Sequence, residues 1–359
     1  MIKYLGSKRT LLKPIVQLVT GAPGVRRAAD LFSGTSRVGH ALKAAGLFVS
    51  ANDHNGYAHT LAECYVAADG STWRAKYDAL RRELQTAPAK DGWFTQAYAR
   101  DSRFFQPTNG ARIEGIREAI ETLDLPPPLR AIALTSLMEA ADRVDSTCGV
   151  QMAYVKKWSQ RSFNDLELRT PNVLDGPGEA HCADALALAG DLEADLVYLD
   201  PPYNQHSYRG NYHIWETLVR WDAPERYGVA QKRIDCKTHK SDFNSKRKHR
   251  AAFETLLQRL RAPLIIVSFS NEAFLSREDL EAMLKERGPL AVLEHDFKRY
   301  IGAQIGIYNP QGDRVGKAGA LRNTERMYLS AGPSASKAQR AYVQARAQQP
   351  MGAAQLTLP

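Results

Sequence analysis

Long hydrophobic runs are missing from this chain of 359 residues. Apolar stretches such as PLIIV (Pro263–Val267) fall far short of the roughly 20 residues that a membrane-spanning helix needs, so no membrane span is expected. Cysteine is scarce. Cys64, Cys148, Cys182 and Cys236 form no CxxC pair, and no Cys/His cluster has zinc spacing. That argues against a metal site and fits a reduced, cytoplasmic compartment. The first residues, MIKYLGSKRTLLKPIVQLV, are broken by Lys and Pro and do not read as a secretory signal. Internal repeats are absent. Acidic side chains are in deficit, 39 against 48 Lys and Arg, for a net charge of +9. An excess of that sign points to a polyanionic partner, most simply nucleic acid.

With 44% hydrophobic and 24% charged residues, the composition is that of a soluble globular protein. RRAADLFSGTS (Arg26–Ser36) reads as a strand and a turn. SRVGHALKAAG (Ser36–Gly46) reads as a helix with Val38, Leu42 and Ala45 on one face, and LFVSAND (Leu47–Asp53) as the next strand. Strand, helix, strand is a βαβ unit, which predicts an α/β fold with a Rossmann-like parallel sheet. Residues 1–59 form its first part. Residues 60–178 carry mostly helical signals. Ile113, Ile116, Ile120 and Leu123 share a face, and PPPLRAIALTSLMEAADR (Pro126–Arg143) opens on prolines before a long apolar face. This block reads as a helical insertion. The α/β pattern resumes over 179–330, with strands predicted at ADLVYLD (Ala194–Asp200) and APLIIVSFSNE (Ala262–Glu272). An antiparallel hairpin is predicted over Phe297–Ser330. Residues 331–359 are rich in Ala, Gln and Ser, with Lys337, Arg340 and Arg346 and no acid. That composition predicts a disordered tail.

DLFSGTSRVG lies at the first strand-to-helix turn, where doubly wound sheets bind nucleotide-like ligands. Gly34 permits close backbone approach. Asp53 ends the second strand 19 residues later, placed to accept hydrogen bonds from a ribose. A dinucleotide fingerprint would be GxGxxG, but the spacing here gives Gly34, Ser36 and Gly39. The middle glycine, which admits a pyrophosphate, is missing. A cofactor with a ribose and no pyrophosphate fits better, and S-adenosylmethionine is one.

ADLVYLDPPYNQHSYRG (Ala194–Gly210) ends a buried strand on Asp200, Pro201, Pro202 and Tyr203. A carboxylate there faces the same crevice as the cofactor. The prolines stiffen the loop and leave a ridge of acceptors, the Asp200 carboxylate and the Pro201 carbonyl, beside the aromatic face of Tyr203. That set suits a planar base bearing an exocyclic NH₂ group. Acceptors for both N–H groups would leave the amine lone pair free to attack the methyl of a sulfonium cofactor. A base inside a duplex must first flip out.

These motifs resemble those of the adenine-N6 DNA methyltransferases of the Dam type, the alpha group, in order over roughly residues 1–330. KYLGSKR (Lys3–Arg9) resembles the family's N-terminal motif, and the resemblance implies that Tyr4, Gly6 and Lys8 border the cofactor. Phe32 and Gly34 match the family's FxGxG loop, with Ser36 replacing its second glycine. Asp53 matches the ribose-binding acid, and Asp184 in CADAL matches the acid that meets the cofactor's adenine. Alternatively, Asp184 caps the helix of ALALAG. Asp200, Pro201, Pro202 and Tyr203 match the catalytic motif in full. The resemblance implies S-adenosylmethionine as cofactor and double-stranded DNA as partner, read by the 60–178 insertion. FSGTSRVGH and DPPYNQHSY are reminiscent of modification enzymes paired with type IIS restriction endonucleases, which adds a cognate endonuclease as a partner.

Between Arg226 and Arg250 stand nine basic residues (226, 232, 233, 237, 240, 246, 247, 248, 250) against Asp235 and Asp242. Such density suits phosphate contacts, with Lys232, Arg233, Lys246, Arg247 and Lys248 as candidates. QMAYVKKWSQRSFND (Gln151–Asp165) interleaves Tyr154, Trp158 and Phe163 with Lys156, Lys157 and Arg161, a pattern that suits nucleic acid. His181, His206 and His213 are isolated and read as ordinary polar or packing residues. Three other readings stay open: the same chemistry on RNA, methylation of cytosine at N4, and a binding-only scaffold without catalysis.

Overall fold

The computed structural model describes residues 1–147, 149–152, 157–205, 207–270, 273–298, 307–308, 314–316 and 322–348. Its centre is a seven-stranded sheet built from β1 (Arg27–Asp30), β2 (Phe48–Asn52), β3 (Glu179–His181), β4 (Leu196–Leu199), β7 (Leu264–Ser270), β8 (Leu290–Lys298) and β11 (Arg322–Ala331). The spatial order is β3-β2-β1-β4-β7-β11-β8. β1 pairs in parallel with both β2 and β4, and β4 in parallel with β7. β11 lies between β7 and β8 and runs antiparallel to both. The Rossmann-like α/β expectation holds. Chain order reverses at β1 and β4, so the crevice beyond their carboxyl ends is the place for a ligand.

β7 shows why the sheet is central. All seven of its residues, LIIVSFS, are buried. Leu264 and Ile266 join the core on one face of the sheet, while Ile265, Val267 and Phe269 join the core on the other. Strand side chains alternate between faces, so a continuous apolar run is what a strand covered on both sides requires.

The helical block is present, with helices Gly70–Thr86, Pro107–Thr122 and Pro127–Val144. Each of the last two opens on proline, which fits a first helical turn because its missing N–H would have no partner there. Ile113, Ile116 and Ile120 are fully buried. This core also takes in Tyr57, Leu61 and Tyr65, and it recruits Tyr212, Ile214, Trp215 and Leu218 from beyond the catalytic motif. Buried Arg117 donates through Nε to the Leu218 carbonyl at 2.7 Å. The helical layer is therefore wider than the predicted 60–178, since helix His213–Arg220 belongs to it.

A second correction concerns the predicted disordered tail. Lys337–Ala347 is a helix with a Ser336/Gln339 capping box. Val343 is fully buried, and the Tyr342 hydroxyl donates to the Leu18 carbonyl at 3.0 Å. A few apolar side chains at helical spacing, docked on helix Leu12–Thr20, outweigh a composition that reads as disorder. Residues 349–359 lie outside the described residues. The expected hairpin near the C-terminus is the β8–β11 pair, and β9 (Ile307–Tyr308) and β10 (Arg314–Gly316) between them form a small antiparallel sheet. Its expected turn, at Asn309–Asp313, is outside the described residues. β5 (Arg226–Tyr227) and β6 (Lys232–Arg233) make a separate short hairpin in the basic stretch. Among the described residues, no helix is long and apolar enough to cross a membrane.

Candidate active site

Beyond the carboxyl ends of β1 and β4 lies a pocket whose wall includes Tyr4, Gly6, Phe32, Gly34, Asp53 and Asp200. Six residues predicted from four separate motifs thus share one cavity. Gly34 has φ +50, and a Cβ there would stand 3.2 Å from the Tyr4 ring, so both backbone and space favour glycine. Its N–H donates to Asp53 Oδ2 at 3.0 Å, while Asp53 Oδ1 accepts from Asn55 N at 2.9 Å and Nδ2 at 3.0 Å. The β2 acid is thereby clamped against the β1 loop. Ser36, where the family has a second glycine, takes a left-handed conformation itself, φ 59 and ψ 21. The loop path is kept at a strain of about 1 kcal/mol.

The loop also holds polar atoms without partners. Asp30 Oδ1, Ser33 Oγ and Ser36 Oγ are buried with no hydrogen-bond partner among the described residues, as is Asn55 Oδ1. Burial pushes the Asp30 carboxyl up to about 7, against the Gly39 N–H that holds it down, and the nearby Asp200 and Asp53 push it further up. Of these four residues Asn55 lines the pocket, while Asp30, Ser33 and Ser36 stand behind its wall among the described residues; a glycine cradle, a fixed acid and the Asn55 oxygen fit a ligand that brings hydroxyl or ammonium donors. Asp184 sits differently. Its Oδ1 accepts from Leu186 N at 2.9 Å and Ala187 N at 3.2 Å, capping helix Ala185–Leu188. The neighbouring Ala183 and Ala185 form the pocket wall there.

Asp200 follows directly on β4. Lys8 Nζ stands 3.1 Å from its Oδ1. Lys8 was expected at the cofactor. Instead it is buried between Asp200 and Glu325 of β11, whose Oε1 is 2.5 Å away, and it lies over the Tyr203 ring, 5.8 Å from the centroid. Burial pushes the Asp200 carboxyl up to about 6, Lys8 opposes that, and Glu325 adds to it. Tyr203 is fixed at both ends: its ring packs at 5.8 Å from Phe269, and its carbonyl accepts from Phe274 N at 2.9 Å. Pro202 lines the pocket and Pro201 is buried. Tyr4 stacks on Tyr208 and Tyr212, with centroids 5.2 and 4.5 Å apart. Its hydroxyl shares a 3.1 Å hydrogen bond with Tyr57.

Sequence patterns missed several of these groups. Tyr208 lines the pocket, as do His54 and His239, whose rings are 5.6 Å apart. Glu325 had no spacing signal at all, because only the pairing of β11 with β7 brings it to Asp200. His239, Ser241 and Asn244 show that the basic stretch reaches the pocket.

The predicted DNA contacts divide. Lys246, Arg247 and Lys157 are exposed, with no ion pair among the described residues; Lys248 is exposed and pairs with Asp242 at 3.0 Å. Arg233 is a correction. It is 2% exposed and held by Asp222, at 2.6 Å, and Asp235, at 3.1 Å, so it fastens the hairpin to the body of the protein. Arg161 is committed to Asp145 through Nε at 2.9 Å and Nη2 at 2.7 Å, and Lys232 is half-buried. Lys156, Tyr154 and His206 lie outside the described residues. His213 is a packing residue as expected: it is fully buried, its Nε2 is 2.9 Å from the Gln151 carbonyl, and burial holds its imidazole down to about 3.

Comparison with known proteins follows the same line. The sequence model described as "D12 class N6 adenine-specific DNA methyltransferase" matches residues 4–282. The chain is 31% identical over 305 residues to Modification methylase StsI of Streptococcus sanguinis, covering 79% of this chain and 46% of that protein. It is 27% identical over 314 residues to Type II methyltransferase M.NlaIII of Neisseria lactamica, covering 83% and 92%. With Type II methyltransferase M.FokI of Planomicrobium okeanokoites the identity is 28% over 318 residues, covering 80% and 47%. The match thus takes in about half the length of the StsI and FokI proteins and nearly all of the NlaIII one.

Proposed function

The chain belongs to the D12 class N6 adenine-specific DNA methyltransferases, and we propose that it transfers a methyl group from S-adenosylmethionine to the exocyclic N6 of an adenine flipped out of a DNA duplex at a specific site. The observation that carries this reading is the shared pocket: the Asp200 carboxylate opens onto the same cavity as the Gly34–Asp53 clamp. Donor and acceptor of a methyl group would meet there.

The roles follow from position. Asp53 accepts from ribose hydroxyls, as its oxygens have lone pairs beyond those the Gly34 and Asn55 N–H groups occupy. The unpartnered Asn55 Oδ1, on the pocket wall, accepts from a further donor of the cofactor. S-adenosylmethionine, when bound, supplies the electrophilic methyl. Asp200 accepts from the adenine amine through the oxygen that Lys8 does not face, and Tyr203 stacks on the base. Lys246, Arg247 and Lys157, exposed and unpaired among the described residues, contact phosphates; they set affinity rather than sequence. Sequence is read by the helical layer. A restriction endonuclease that cuts the same site is the biological partner this reading implies.

The test is transfer of labelled methyl from S-adenosylmethionine to unmethylated genomic DNA, with digestion to nucleosides and mapping of the modified positions. N6-methyladenine within one short motif supports the reading. N4-methylcytosine, label in RNA alone, or no transfer at all refutes it, each naming a different replacement.

A further inference from the structure

Lys8 is shared unequally. Its ammonium is 2.5 Å from Glu325 Oε1 and 3.1 Å from Asp200 Oδ1. Glu325 is itself 3% exposed, and the buried Ser268 hydroxyl of β7 donates to the same Oε1 at 2.7 Å. One buried cation therefore stands between two carboxylates, and the second lies on β11, a strand outside the pocket wall among the described residues. A carboxylate alone in such a place is costly, and packing did not require one: the neighbouring inward positions of β11, Met327 and Leu329, are apolar.

We infer that Glu325 is a positioning residue for methyl transfer: seated by Ser268, it draws the Lys8 ammonium away from Asp200 and keeps the Asp200 carboxylate a strong acceptor for the substrate amine. The inference rests on the role proposed above for Asp200. With Glu325 absent, the full charge of Lys8 falls on Asp200. The carboxylate becomes more acidic and a poorer hydrogen-bond acceptor. With Lys8 absent, two like charges face each other and Asp200 becomes less acidic. Removing the two partners thus moves Asp200 in opposite directions. The other ionisable groups facing this cluster are Tyr198, Tyr203, Tyr208 and Asp30. Burial pushes the three phenols upward, that of Tyr203 to about 12, so they stay neutral through the working range. Asp30, which burial raises to about 7, titrates in the same window and is unchanged in every variant, so only the difference between the limbs of the variants and wild type is assigned to Asp200.

The experiment is the pH dependence of single-turnover methyl transfer to DNA from pH 5 to 9, using the full chain as wild type, Glu325→Gln, Glu325→Asp and Lys8→Met. In Glu325→Gln the acid limb moves down by about one pH unit, the usual size for a like charge removed from close range. The plateau rate falls by about tenfold, as expected when an acceptor loses basicity. In Lys8→Met the limb moves up. Glu325→Asp, which keeps the charge, leaves the limb near its wild-type position. Where Glu325→Gln does not fold, the double variant Lys8→Met/Glu325→Gln is compared with Lys8→Met, and its limb must lie about one unit lower. A Glu325→Gln profile that superimposes on wild type, or limbs that move the same way in both single variants, overturns the inference. Wild-type protein that transfers no methyl to DNA overturns the proposed function instead, so the two failures are distinct.

Discussion

Replacing Asp200 by asparagine isolates the acceptor without altering shape. Asp200 Oδ1 faces the Lys8 ammonium at 3.1 Å. In Asp200→Asn the amide oxygen must take that position, because an NH₂ group there would set donor against donor. The amide nitrogen then turns into the pocket and meets the substrate's own N–H groups. One charge-assisted hydrogen bond is lost, about 1.5–3 kcal/mol, and a buried donor is left unsatisfied at about 1–2 kcal/mol more. A total of about 3–5 kcal/mol corresponds to a rate loss of about 10²–10⁴-fold. The assay is single-turnover transfer of labelled methyl into a DNA fragment carrying the target site, with cofactor affinity measured in parallel by calorimetry. Gly34 and Asp53 are untouched, so cofactor affinity stays within about threefold of wild type. A variant that keeps its rate within tenfold of wild type would refute the role given to Asp200.

On the role proposed for Asp200, turnover requires its ionised carboxylate, whose pKa burial raises to about 6; activity should fall as pH drops through that value, and a flat profile down to pH 5 would contradict the assignment. Arg233→Ala, which removes the most buried cation of a network and leaves Asp222 with Arg220 and Asp235 with Arg209 and Arg220, should destabilise the protein by about 2–3 kcal/mol, read in urea melts, while the salt dependence of DNA binding stays unchanged. Neutralising Lys246, Arg247 and Lys248 should do the reverse, leaving stability alone and lowering the slope of log K against log salt by about 0.9 for each phosphate no longer neutralised. Gly34→Ala forces a side chain to φ +50 against the Tyr4 ring, and should weaken cofactor binding at least about tenfold through strain and displacement of Tyr4; titration with the cofactor checks it, and wild-type affinity would mean that the loop is not the cradle.

The fold class and the main site were legible because they rest on local rules. A buried strand needs a continuous apolar run, as in Leu196–Leu199 and Leu264–Ser270. A tight turn at a strand end needs a glycine, as at Gly34. An acid that ends such a strand has to point into the crevice, as Asp53 and Asp200 do. Their separations along the chain, 30 to 53 to 200, did not matter, because strand order alone brings those ends together.

What the sequence could not tell was which charges would neutralise one another. Arg233 and Lys246 look alike in a basic stretch, yet one is clamped by two acids in the interior and the other stands in solvent. Lys8 and Glu325 are 317 residues apart and meet only because β11 inserts antiparallel between β7 and β8. The Ala- and Gln-rich C-terminal stretch looked too polar to order, until the sheet edge and helix Leu12–Thr20 gave Val343 somewhere to be buried. Periodicity and turn chemistry are properties of neighbours in sequence. The pairing of ionic groups and the docking of a marginal helix depend on which surfaces the finished fold sets face to face, and only the tertiary structure decides that.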